Sequence, residues 1–92
     1  RNPEKELAFL GIGQAKNNLG DFKNAIKNFS IVIEINPKNI EAYLSRGNAK
    51  LNLQNFASAI HDFYKVIELD PPNANELISS IKLLQKNSES NN

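Results

Sequence analysis

Residues 22–37, FKNAIKNFSIVIEINP, and residues 56–71, FASAIHDFYKVIELDP, decide the fold of this chain. They stand 34 residues apart and share eight identical positions of sixteen. In the first, apolar residues fall at Phe22, Ala25, Ile26, Phe29, Val32 and Ile33. The second repeats the series at Phe56, Ala59, Ile60, Phe63, Val66 and Ile67. Spacing of i, i+3, i+4, i+7 paints a single stripe along an α-helix. Asn36 before Pro37, and Asp70 before Pro71 and Pro72, end both helices, because a residue preceding proline is pushed out of the α region.

The same offset extends outward from these stripes. Residues 6–39 align with residues 40–73 without a gap, and 16 of the 34 pairs are identical. Chance would give roughly two or three, so the chain contains two copies of one unit. The earlier half of each unit carries a sparser helical pattern: Ala8, Phe9, Ile12, Ala15 and Leu19, then Ala42, Tyr43, Ala49 and Leu53. Each unit is therefore expected to be a pair of helices. Asp21 and Asn55 are expected to cap the second helices through their side-chain oxygens, and Asn39 to cap the first helix of unit two. Nothing alternates with period two for long enough to suggest a strand.

The expected organisation is one all-α domain over residues 1–92, with repeat one at 6–39 and repeat two at 40–73. A capping helix is expected at 74–86 and a disordered tail at 87–92. Leu77, Ile78, Ile81 and Leu84 supply the apolar stripe of that last helix, the kind of cap an open array end needs. Ile81 stands where Gly13 and Gly47 stand in the earlier units. A glycine inside a helix costs about 1 kcal/mol relative to alanine, so those two imply close packing. Asn2 and Pro3 fall in register with Asn36 and Pro37 and read as the close of a preceding unit, as in a piece of a longer array.

Composition removes several kinds of chemistry. Eleven Lys+Arg against 10 Asp+Glu leave a net charge of +1, too weak a field to expect nucleic acid as a partner. Without cysteine there is no disulfide, thiol nucleophile or Cys-type zinc site, and one histidine makes no His-cluster metal site. No apolar run approaches the ~20 residues of a membrane span and no signal segment is visible, so a cytoplasmic protein without membrane insertion is expected. Asparagine is over-used, at 15 residues of 92. His61 has Asp62 beside it but no nucleophile one turn away, and Gly11-Ile12-Gly13 lacks the third glycine and preceding strand of a phosphate loop. No catalytic residue, metal or cofactor is expected.

The pattern resembles the tetratricopeptide repeat, a 34-residue helix–turn–helix unit that stacks into a right-handed superhelix. The residues carrying the resemblance are Phe9 and Tyr43, Gly13 and Gly47, Phe22 and Phe56, Ala25 and Ala59, Phe29 and Phe63, and Pro37 and Pro71. Two departures stand out. Lys16 and Lys50 replace a large aromatic of the first helices, where their stems are expected to cover apolar surface with the ammonium in water. Gln54-Asn55 replaces the turn seen in unit one as Gly20-Asp21.

The resemblance implies a non-catalytic scaffold that binds a peptide or partner protein in a concave groove lined by the first helices. The groove positions nominated here are Leu10, Gln14, Asn17 and Asn18 in unit one, Leu44, Ser45, Asn48, Leu51 and Asn52 in unit two, and Lys82 on the cap. A row of carboxamides offers donors and acceptors to a peptide backbone, so an uncharged, backbone-reading groove is expected. One subclass of the family clamps acidic chaperone tails with cations. The corresponding residues here, Leu10, Gln14, Ser45, Asn75 and Ser79, carry no positive charge, so such tails are not expected. Arg46 is expected to act as a packed stem at the edge of its helix pair rather than as an anion ligand. Self-association through an exposed first helix is the alternative, and a helical-repeat RNA binder the more distant one.

Overall fold

The computed structural model describes residues 2–90, with side chains to residue 87. Five helices follow one another: α1 (Pro3–Asn18), α2 (Phe22–Ile35), α3 (Ile40–Asn52), α4 (Phe56–Leu69) and α5 (Ala74–Ser90), with a 3-10 turn at Pro71–Asn73 before the last. They form two antiparallel pairs and a fifth helix, stacked as a right-handed superhelical solenoid. The described residues contain no strand. No helix among them is long and apolar enough to cross a membrane.

The stripes read from sequence meet in two cores. Leu10, Ala25, Phe29, Val32 and Ala42 close the first, between α1, α2 and α3, with Phe9 and Ile33 against it. Ala59, Phe63 and Ile81 form the second, flanked by Leu51, Ile60, Ile67, Leu77 and Leu84. Burying each large side chain contributes roughly 1.5–3 kcal/mol. Ile81, only 2% exposed, carries α5 onto α4, so α5 covers the apolar face of unit two. Gly13 and Gly47 meet the ring of the second helix of their own unit: a Cβ there would lie 2.6 Å from Phe29 Cε1 or 2.5 Å from Phe63 Cε1.

Four details differ from expectation. Asp21 and Asn55 occupy the N-cap positions, but neither side chain makes a capping bond. Their ψ values of 69° and 73° depart from the 98° and 99° of Asn2 and Asn39, whose side chains do accept from Lys5 N–H and Ala42 N–H. Asp21 instead accepts from the Asn24 carboxamide at 2.8 Å, which holds its carboxyl below the ordinary value, helped by Lys16 and Lys27. Second, α1 begins at Pro3, ahead of the expected start of repeat one at residue 6, with Asn2 as its N-cap. Proline suits the first helical turn, where its missing N–H has no partner to lose.

Third, α5 continues through Ser90, so residues 87–90 are helical where a disordered tail was expected; no proline or glycine interrupts them, and residues 91–92 lie outside the described residues. Fourth, the turn of unit two adopts the left-handed conformation without glycine. Gly20 has φ 81° and its counterpart Gln54 has φ 62°. A side chain in that region costs roughly 1–2 kcal/mol, so the second turn carries strain that the first does not.

Candidate functional site

The first helices α1 and α3, with α5, supply the nominated face. Leu10 and Leu44 share one position of the repeat but not one environment. Leu10 is 8% exposed and belongs to the first core, whereas Leu44 is 37% exposed. Leu10 is thus a packing residue, not a groove contact. Gln14 is also engaged: its Nε2 donates to Glu41 Oε1 at 2.7 Å, joining α1 to α3. Glu41 places a carboxylate in the groove that was expected to be uncharged. Its position in the groove register was readable; its partner was not.

Asn17 is half-buried and its Oδ1 is enclosed without a hydrogen-bond partner among the described residues. Ser45 and Leu51 are half-buried, Leu51 packing against the second core. Asn18, Asn48, Asn52 and Lys82 are exposed. The Asn52 carboxamide donates to the Asn48 carbonyl at 2.9 Å, which orients it one turn beyond Asn48. Leu44, Asn48 and Asn52, four residues apart in sequence, lie on one stripe of α3 and are its accessible groove residues.

Beside Leu44 opens a cavity of about 430 Å³ between α3, the end of α4 and the start of α5. Ile40, Leu44, Val66 and Leu77 line its apolar part, and Asp70 and Glu76 stand among its polar residues. Sequence reasoning passed over both acids. Each replaces a neutral residue of unit one or two, Asn36 and Ala42 respectively, and that departure is a signal visible in the repeat.

A second polar assembly lies between α3 and α4, with one contact to α2. Asp62 is 1% exposed and accepts from Arg46 Nε at 2.9 Å and Arg46 Nη2 at 2.7 Å. Lys50 Nζ pairs with Asp62 at 2.9 Å. Arg46 Nη1 also donates to Ser30 Oγ at 3.1 Å, and its guanidinium lies 5.8 Å from the centre of the Tyr43 ring. The expectations for these cations are corrected: Lys50 does not hold its ammonium in water, and Arg46 is an anion partner, of an internal carboxylate. Lys16, at the matching position, does reach the surface, 4.0 Å from Asp21. Asp62 stands where unit one has Asn28 and Arg46 where it has Ile12. The paired departure is the trace of the cluster in the sequence. The ion pairs hold α3 to α4 within unit two, and the Arg46–Ser30 bond ties that pair to α2, so the cluster is a packing element rather than a binding site. His61, next in sequence, is exposed.

A TPR repeat profile matches residues 13–54 and a tetratricopeptide repeat profile matches residues 40–73. Among solved structures, the Arabidopsis OM64 TPR domain is similar at 28% identity and a TM-score of 0.80, over 89% of this chain and 67% of that one. The first TPR of Spaghetti (RPAP3), bound to the HSP90 peptide SRMEEVD, is similar at 24% identity and a TM-score of 0.83, over 96% and 69%. The second TPR domain of human RPAP3, in complex with the HSP70 peptide SGPTIEEVD, follows at 21% identity and 0.77, over 87% and 66%. The two complexes give no support to the expectation that chaperone tails are excluded. No curated protein matches the sequence significantly. Two successive repeats in register, their shared helix-pair geometry and these similarities together place the chain in the tetratricopeptide repeat family, as a protein–protein interaction module.

Proposed function

We propose that the chain binds an extended peptide segment of a partner protein along the accessible stripe of α3, between α1 and α5. The observation that carries this reading is the stripe itself: Leu44, Asn48 and Asn52 are all exposed, with the Asn52 carboxamide held by the Asn48 carbonyl. Carboxamides offer a donor and an acceptor to peptide bonds, while Leu44 takes an apolar side chain. Glu41, Asp70 and Glu76 make the surroundings acidic, which favours neutral or basic segments over acidic chaperone tails. A peptide array probed with the wild type and with Asn48→Ala/Asn52→Ala tests it. Two hydrogen bonds at about 1 kcal/mol each predict roughly tenfold or greater loss of binding to the best peptides. Undiminished binding by the double variant overturns the stripe. Preferential binding of the SRMEEVD peptide overturns the charge preference.

A second reading is favoured by one contrast. Ala42 and Ala49 of α3 are fully buried, Ala42 in the core it shares with unit one, while their counterparts Ala8 and Ala15 on α1 are exposed together with Ile12 at 46%. We propose that this face also supports self-association. Sedimentation velocity is expected to show mass rising with concentration, and Ile12→Glu to abolish the rise. A monomer at every concentration removes this reading.

A further inference from the structure

We infer that the cavity between α3, α4 and α5 is a pocket for the side chain of a lysine or arginine in the bound segment. The repeat supplies the comparison. At the joint of unit one with unit two, Glu6 accepts from the carboxamides of Asn36 and Asn39 at 2.8 and 2.7 Å, tying the start of α1 to the α2–α3 turn. Tyr43 is 7% exposed, its hydroxyl donating to the Pro37 carbonyl at 2.9 Å, and Leu10 at this joint is only 8% exposed. Thirty-four residues on, Asn39 recurs as Asn73 but the other closing groups change, Asn36 to Asp70 among them. Ile40 replaces Glu6, Leu77 replaces Tyr43 and Ser80 replaces Arg46. Ile40 has no polar atom to bridge the turn, so Asp70 and Asn73 bond one another at 3.1 and 3.2 Å instead. The smaller Leu77 and Ser80 leave open the volume of about 430 Å³.

The chemistry of what remains selects the occupant. Ile40, Leu44, Val66 and Leu77 offer an apolar lining, Asp70 and Glu76 bring two carboxylates, and no lining residue is cationic. An aliphatic stem with a cationic head satisfies both parts, since the stem buries methylenes while the head stays at the acidic groups. An acidic or purely apolar side chain satisfies one part at most. The size falls in the ~300–1,000 Å³ range of ligand sites.

The inference rests on the peptide-groove reading, because Leu44 belongs to both the stripe and the pocket. It is tested with probes that need only the pocket. Amide NMR titrations of the full chain use n-butylammonium, 1-butanol and butanoate. Butylammonium is expected to bind most tightly and to shift Leu44, Leu77 and Ser80, with Asp70→Asn/Glu76→Gln weakening it about fivefold to tenfold and leaving butanol unaffected. Ser80→Arg, which supplies a cation from the chain itself, is expected to remove the response. Equal affinity for butanoate, an undiminished response in the carboxylate variant, or no shift with any probe overturns the pocket. Asn48→Ala/Asn52→Ala leaves the butylammonium titration unchanged, so loss of peptide binding in that variant reads the stripe alone.

Discussion

Asp62→Ala is expected to lower the unfolding free energy by about 3–5 kcal/mol, read as a reduced urea midpoint at unchanged slope. The carboxylate is 1% exposed, accepts two charged hydrogen bonds from Arg46 and forms an ion pair with Lys50. Removing it leaves two cations, themselves largely buried, facing each other without their counter-ion. The loss is a large part of the ~5–15 kcal/mol that a domain commands. Burial also shields the cluster, so raising salt to 1 M is expected to change little, unlike a surface pair. Replacing all three charges together, with Arg46→Met, Lys50→Leu and Asp62→Leu, is expected to recover most of the loss, since desolvation of the ions is removed along with their attraction. A midpoint unmoved by Asp62→Ala alone would show that the cluster does not hold α3 to α4.

Gly47→Ala is expected to cost about 2–3 kcal/mol although alanine is the better helix former by ~1 kcal/mol. A methyl group there lies 2.5 Å from Cε1 and 2.9 Å from Cδ1 of Phe63. That ring is enclosed in the second core with Ala59 and Ile81 and has little room to retreat. Adding Phe63→Leu is expected to be partly compensating, with a coupling of about 1 kcal/mol or more in the double-mutant cycle. Gly11→Ala supplies the control. Nothing lies within 4 Å of its Cβ, so it is expected to be stabilising by about 0.5–1 kcal/mol. Equal thermal shifts for the Gly11 and Gly47 variants would refute the close approach.

The groove was only partly legible before folding. The register that nominates Leu10 also nominates Leu44, because one turn of helix looks alike in both units. Covering decides between them: a tyrosine and a glutamate 33 and four residues from Leu10 close its joint, and their substitutes leave Leu44 open. Gln14 likewise reads as a free carboxamide until α3 brings Glu41 to 2.7 Å. Asn48 and Asn52 keep their expected exposure because nothing stacks above that stripe among the described residues.

By itself, then, the sequence determined the period, the helix pairs and most residues of the two cores, Leu10 and Leu51 excepted, since each depends on spacing within about one turn and on an identical copy 34 residues away. It also placed Gly13 and Gly47 at close contacts. Tertiary structure alone decided which asparagines cap and which groove residues stay open. It also decided where the buried charges of Arg46, Lys50 and Asp62 converge. Those outcomes turn on distances of a few ångström between different helices, and on the volume of side chains whose neighbours stand elsewhere in the chain.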